Sequence, residues 1–250
     1  MRFRIVWFDS LGAKSSCVFV ETPDVRILID PGVAIMHPSF PASWEDKVRW
    51  AERARNRIHR YARRADVVVV SHYHYDHHLR EPELYQGKLL LAKDPNEYIN
   101  DSQRKRAEYF FGLLWNAFTG TNIPYQKPPR RSFPDYADRL SSIRRDFGDY
   151  TDRRRQLLAS GKRWFEKRVE KWRRYPYIPE GRIGDTQLIY PEGKTLVFGR
   201  TYVRCIGPLF HGIEYSRVGW IFLTVIEHRG VKLLHSSDLN GPIIEDYADL

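Results

Sequence analysis

The sequence predicts an α+β fold, a single domain over residues 1–250 in which two blocks of short strands flank a basic helical insertion at about 93–182. Three observations carry this expectation. Short β-rich runs recur before residue 93 and again after Gly184. The stretch between them repeats apolar residues at helical intervals and holds 21 lysines and arginines against 12 acidic residues. The wholly apolar run Val67 to Val70 leads straight into Ser71-His72-Tyr73-His74-Tyr75-Asp76-His77-His78, the pattern of a buried strand that delivers a polar loop at its end.

Residues 3–8, 16–21 and 25–30 are strand-like runs separated by Leu11-Gly12-Ala13-Lys14 and Thr22-Pro23-Asp24, which predicts an antiparallel meander. The loop Leu11 to Ser15 lacks the paired glycines of a phosphate-binding loop and is given no such role. Pro31 to Ala42 holds three prolines and reads as irregular. Ser43 and Asp46 form a capping signal for a helix through about Arg64, with Val48, Ala51, Ala54, Ile58 and Tyr61 on one face. Strands follow at 66–71 and 88–92. Asp101 or Ser102 is expected to cap a helix carrying Ala107, Phe110, Phe111, Leu114, Trp115 and Phe118 inward. Four prolines in 119–134 predict a loop. A second helical region is expected over 135–174, divided at Gly148 and Gly161 and ended by Tyr175-Pro176-Tyr177-Ile178-Pro179. The β pattern then resumes at 186–190, 195–198, 202–206, 218–227 and 231–236, with a tight turn at His228-Arg229-Gly230.

At 250 residues the chain can bury a substantial core. Its net charge of +10 is unevenly spread, since residues 44–64 hold 8 basic against 3 acidic side chains and the helical segment 21 against 12, which leaves the remainder slightly acidic. Such a surface attracts anions, from a small anionic substrate to nucleic acid. The 2 cysteines, Cys17 and Cys205, sit in apolar runs and are expected in the core, without a disulfide framework. The amino terminus has no signal-peptide core, and nowhere do about 18 apolar residues run together. A cytoplasmic protein with no membrane partner is therefore expected; oligomeric state is left open.

His72 and His74, two residues apart, can close on one cation while Asp76 and His77 face a second. Imidazole with carboxylate suits zinc, iron or manganese. His72-x-His74-x-Asp76-His77 after a hydrophobic strand resembles the metal motif of the metallo-β-lactamase superfamily. Ile27-Leu28-Ile29-Asp30-Pro31-Gly32 is similar to its early strand ending in an Asp, His211-Gly212 to its third histidine, and Ser237-Asp238 to its bridging carboxylate. More narrowly, Ser71 to His78 with Ser237-Asp238-Leu239-Asn240-Gly241-Pro242 resembles an archaeal branch of uncharacterised predicted metal-dependent hydrolases. The resemblance covers residues 1 to about 92 and about 183 to 250 and says little of the segment between.

What the resemblance implies is an αββα sandwich holding two divalent metal ions, zinc first, with iron or manganese as alternatives. His72, His74 and His211 would hold one ion, Asp76 and His77 the other, and Asp238 would bridge them. Two cations roughly 3.5 to 4 Å apart activate a shared water and polarise the scissile oxygen. Asp76 and Asp238 would be the catalytic carboxylates that orient this water or take its proton. Asp30 would hold a ligand imidazole by its other ring nitrogen, or else satisfy backbone amides of the Pro31-Gly32 turn. The superfamily pattern closes the second site with a histidine beyond the bridging Asp. The sequence reaches Leu250 without one, so the C-terminal part is expected to be incomplete, with water or His78 as other ways to complete the site.

His78 is otherwise expected in an outer or exposed position, His235 facing the core or a neighbouring layer, and His37 as a candidate substrate contact. Ser236 and Ser237 are redundant as nucleophiles beside a metal cassette. The resulting expectation is a hydrolase acting through a metal-activated water on an anionic ester or phosphodiester, with the helical segment as lid or wall. Two alternatives stand beside it. Lys162-Arg163-Trp164-Phe165 and Lys171-Trp172-Arg173-Arg174-Tyr175 interleave basic and aromatic residues, as a nuclease acting on RNA or DNA would, although the aromatic spacing also suits a helix packing inward. The other alternative is a non-catalytic metal-binding or interaction protein.

Overall fold

The computed structural model describes residues 1–241 and 243–249. The chain opens with the antiparallel meander β1 (Arg2–Phe8), β2 (Ser16–Glu21) and β3 (Arg26–Ile29). Between β2 and β3 the Thr22 hydroxyl accepts from the Asp24 and Val25 amides, so the turn closes without unpaired donors there. Helix α1 (Trp44–Ala62) starts where Ser43 Oγ accepts from the Asp46 amide at 3.0 Å, with Glu45 and Asp46 in the first turn where the helix dipole favours them. It buries Ala54, Ile58 and Ala62. The strand after it, β4 (Val67–Val70), is parallel to β3, and β5 (Leu89–Ala92) is parallel to β4. β4 is apolar throughout because both its faces are covered: Val68 and Val70 pack with Ile58 and Ala62, while Val67 and Val69 face the other sheet.

The segment after β5 carries α2 (Asp101–Thr119) and α3 (Thr151–Trp172). The cap of α2 is Asn100, whose side chain accepts from the Gln103 amide at 2.7 Å, rather than Asp101 or Ser102. Asp101 is instead the first helical residue and pairs with Arg168 of α3 at 2.6 Å. The region 135–174 is not helical throughout. Residues 136–150 form short 3-10 turns, the last of them opening at Gly148, which lies in the left-handed region. Gly161 does not interrupt α3; a Cβ there would lie 2.5 Å from Tyr215, so glycine serves a close approach. The aromatics of α3 pack inward, Trp164 stacking on Trp220 with centroids 5.4 Å apart and Phe165 and Trp172 in the same cluster.

After α3, β6 (Gly181–Ile183) and β7 (Thr186–Ile189) form a hairpin, and β7 pairs parallel with β5. These strands complete a seven-stranded sheet of order β1-β2-β3-β4-β5-β7-β6. The helical segment is thus the crossover between two neighbouring parallel strands. In sequence, 186–190 falls in the second β block, and nothing marks β6. The second sheet is antiparallel, order β11-β10-β9-β8, from β8 (Thr195–Phe198), β9 (Thr201–Phe210), β10 (Trp220–His228) and β11 (Val231–His235). The sheets face each other through Val18, Ile27, Val67, Val69 and Leu91 on one side and Val203, Cys205, Phe222 and Ile226 on the other. Both cysteines are buried free thiols. By the strand alternation, the outer face of the second sheet shows exposed Val197, Tyr202, Arg204 and Leu234. No helix among the described residues is long and apolar enough to cross a membrane. Pro242 and Leu250 lie outside the described residues, and 245–249 form a short 3-10 helix.

Candidate metal centre

The site lies where four strands end. β3 runs into Asp30, β4 into Ser71 and His72, β9 into His211 and β11 into Asp238, so residues distant in sequence meet at one place. His72 Nε2 lies 3.0 Å from His74 Nδ1. Asp238 Oδ2 is 3.7 Å from His72 Nε2 and 3.3 Å from His211 Nε2. One donor atom from each of His72, His74, His211 and Asp238 lies within 4.8 Å of all the others, and the same holds for Asp76, His77 and Asp238. The other oxygen of Asp238, Oδ1, is 3.1 Å from His77 Nε2. Asp238 thus turns one oxygen to each group.

The outward ring nitrogens are held by the protein. Asp30, fully buried, accepts from the Ser71 amide at 2.8 Å and the Ser71 hydroxyl at 2.7 Å, and its Oδ2 lies 2.8 Å from His77 Nδ1. Asp30 therefore acts on a ring of the cassette; its own backbone is in the left-handed region at φ 47. His72 Nδ1 lies 3.2 Å from Ser71 Oγ and 3.3 Å from Ser237 Oγ, and the Asn240 amide is 3.2 Å from His211 Nδ1. Each contact fixes a ring so that its other nitrogen points into the cluster. Gly32 allows the cassette loop to pass: a Cβ there would lie 2.2 Å from the His77 backbone nitrogen.

Gln103, on α2, is the positioning residue that sequence reading missed. Its Oε1 accepts from the Tyr73 amide at 3.1 Å, and its Nε2 donates to Val218 O at 2.8 Å and lies 3.5 Å from His74 Nε2. One side chain thus ties the His72–His74 loop to the loop after His211. A glutamine inside an amphipathic helix carries no sequence mark of such a role.

Burial, then the neighbouring His77 and His74 rings, lowers the His72 pKa well below the ordinary value. Burial, followed by His211 and His77, lowers His74 to about 3. For His77 burial acts in the same direction, but the Asp30 carboxylate and hydrogen bonds to Asp238 and Asp30 outweigh it and raise the pKa. Burial would raise Asp238, yet the His211 and His77 rings beside it hold its carboxyl far below the usual carboxylate range. At neutral pH the centre therefore offers unprotonated His72 and His74 and an ionised Asp238.

The donors fit a divalent cation. His211 Nε2 is buried and has no hydrogen-bond partner among the described residues, although it points at the Asp238 oxygen shared with His72. A cation there would satisfy it, and the imidazole and carboxylate set is the one that transition metals of this charge prefer. No further histidine joins Asp76, His77 and Asp238 among the described residues.

His78 is buried rather than exposed, and it does not complete the second group. Its Nδ1 lies 2.9 Å from His74 O, its ring is 5.2 Å from that of Phe110, and burial lowers its pKa to about 4. His235 is buried with Nε2 2.8 Å from Ser16 O. His37 bonds to Ser39 and lines no part of the cleft over the cluster. That cleft, about 780 Å³, is bordered by Asp9, Lys14 and Ser16 on the β1–β2 side, and by Tyr75 and Arg106. The loop dismissed as a phosphate-binding motif therefore still lines the site, and α2 supplies wall residues. Lys14 and Arg106 make no ion pair among the described residues, which leaves two free cations beside the cluster.

A family model described as a β-lactamase superfamily domain matches residues 7–123. A UPF0282 protein of Korarchaeum cryptofilum is 47% identical over 256 residues, covering 99% of this chain and 61% of that protein. A UPF0282 protein of Methanopyrus kandleri is 30% identical over 258 residues, covering 97% of this chain and 65% of that one. The chain thus spans between 61% and 65% of the length of these curated relatives. Among solved structures, a subclass B3 metallo-β-lactamase from a soil metagenome library superposes over 89% of this chain and 56% of its own, with TM-score 0.34 and 14% identity. CmlA, a diiron β-hydroxylase from Streptomyces venezuelae, superposes over 91% of this chain and 28% of its own, with TM-score 0.36 and 15% identity. The paired sheets with their helices, the family match and the archaeal relatives together identify the fold and the lineage: the chain belongs to the metallo-β-lactamase superfamily, in the archaeal UPF0282 group.

Proposed function

We propose that the chain is a metal-dependent hydrolase that directs an activated water at an anionic ester or phosphodiester bond. The observation that carries this reading is the gathering of His72, His74 and His211 about one oxygen of Asp238 while His77, with Asp76 beside it, meets the other. Zinc suits these donors first, with iron and manganese next. A bound pair of such ions supplies a water with a pKa of about 7 and a Lewis acid for the bond being cut.

The chain's own residues do the rest. Asp76, partly buried at the cleft floor, offers a carboxylate oxygen that orients the water or takes its proton. Asp30 and Ser71 hold His77 and His72 with their Nε2 atoms inward. Lys14 and Arg106 favour an anionic substrate and balance negative charge that builds on the leaving group. The inward packing of Trp164, Phe165 and Trp172 removes these rings as stacking platforms and favours a small substrate over a strand laid along α3. Two buried free thiols accord with a reducing, cytoplasmic setting.

Hydrolysis of bis(4-nitrophenyl) phosphate and 4-nitrophenyl acetate by metal-loaded protein tests this reading. His74→Ala should abolish turnover and lower metal content together; retained turnover would remove the cluster from the mechanism. Metal uptake without turnover of either ester would favour a non-catalytic metal-binding role.

A further inference from the structure

We propose that Arg80 and Arg106 form an anion subsite beside the metal centre, so that the substrate carries a second phosphoryl group next to the bond that is cut. This rests on the hydrolase reading above. Tyr75 stands between His74 and Asp76 in sequence and is exposed. The guanidinium carbon of Arg80 lies over its ring at 4.7 Å from the centroid, and that of Arg106 at 4.9 Å. Arg80 also lies over the Tyr109 ring at 5.5 Å.

The two guanidinium groups thus flank one exposed ring, Arg106 lining the metal cleft and Arg80 the neighbouring pocket. Neither makes an ion pair with a carboxylate among the described residues, although acids are close in sequence. Glu81, next to Arg80, pairs instead with Arg55 at 2.6 Å and His59 at 2.5 Å, and Glu108 pairs with Arg104 at 2.8 Å. The neighbouring carboxylates are thus already paired, and the two arginines keep their charge for a ligand.

Space is present for one. Tyr75 and Arg106 line the cleft of about 780 Å³ that holds Asp76, His77, His211 and Asp238. Tyr75, Arg80 and Tyr109 line a second pocket of about 320 Å³ together with Glu81, whose charge is met by Arg55 and His59. The two share Tyr75 as a common wall, so a substrate passing over that ring would set one phosphoryl group at the metal cluster and the next at the arginines. Guanidinium forks engage phosphate oxygens in pairs, and two forks match a phosphoryl group more fully than a carboxylate with its two oxygens.

The second phosphoryl could belong to a small bisphosphorylated molecule or to the next linkage of a nucleic-acid strand. Calorimetric titration of zinc-loaded protein with thymidine 5′-monophosphate and thymidine 3′,5′-bisphosphate, alongside metal analysis, separates the questions. Metal content and monophosphate binding report on the hydrolase reading. The advantage of the bisphosphate over the monophosphate reports on the subsite, and should be about tenfold or more. Arg80→Ala and Arg106→Ala should each remove most of that advantage without changing metal content, and Arg80→Lys should restore it only in part. No advantage in the unsubstituted protein, or one that survives either alanine substitution, overturns the proposal. Competition by single-stranded decathymidylate would assign the second phosphoryl to a strand, and failure to compete to a small molecule.

Discussion

Replacing Asp30 by Asn should strip one metal equivalent from the chain while sparing the other. The Asp30 carboxylate is fully buried; Oδ1 takes the Ser71 amide at 2.8 Å, and Oδ2 takes the Ser71 hydroxyl at 2.7 Å and lies 2.8 Å from His77 Nδ1. Asparagine can keep the amide contact through its single oxygen, but its NH2 then faces His77 Nδ1, donor against donor. The ring relieves this by moving its proton to Nε2, the atom 3.1 Å from Asp238 Oδ1 where a cation would sit. A hydrogen bond to a charged group contributes about 1.5–3 kcal/mol, which corresponds to roughly ten- to a hundredfold in affinity. Loss of an outer partner of a ligating imidazole typically costs about the same factor. His74 and His211 do not touch Asp30, so the equivalent held by His72, His74 and His211 should persist. Competition with a chromogenic chelator measures both affinities. An Asp30→Asn chain that binds two equivalents as tightly as the unsubstituted protein would refute the reasoning.

Other expectations follow from the same geometry. Gly32→Ala would place a Cβ 2.2 Å from the His77 nitrogen, and overpacking of this kind costs about 1–3 kcal/mol, so both melting temperature and metal content should fall; a chain with unchanged values would show that the loop yields freely. Gln103→Leu leaves the Tyr73 amide and Val218 carbonyl without their partner, at about 1–3 kcal/mol each, and calorimetry should record a melting temperature lower by several degrees. The hydrogen bond from Arg168, opposed by partial burial and aided by Lys171 and Tyr175, holds the Asp101 carboxyl below its ordinary value of 3.8. A depressed carboxylate contributes stability above 3.8 that is lost as pH falls toward its folded value. Asp101→Asn should therefore melt earlier than the unsubstituted chain at pH 7, with the gap closing in acid; a gap independent of pH would contradict the pairing.

Much of the fold was legible because its signals are local. Val67 to Val70 announces a strand covered on both faces, and Ser43 with Asp46 announces the start of α1. His72, His74, Asp76 and His77 could be named from motif spacing and His211 and Asp238 from the family resemblance, and the structure brings all six into two groups sharing Asp238. What sequence could not supply depends on packing across distance. Residues 186–189 look like any other short strand, and only the parallel pairing with β5 assigns them to the first sheet. Residues 136–150 carry helical apolar spacing, but Asp135, Asp146 and Gly148 offer local turns that compete with a continuous helix. Gln103 and Asn240 belong to ordinary polar positions until the loops they hold are seen together. His78, next to a ligand motif, is drawn instead under Phe110 by the tight turn that follows His74.

The most direct test of the central claim is metal content per chain, by plasma mass spectrometry of protein purified without chelator or polyhistidine tag. Two groups that share Asp238 predict about two equivalents of a transition metal, reduced in His74→Ala. A chain that carries one equivalent or none, and that gains no second on titration, would contradict the account.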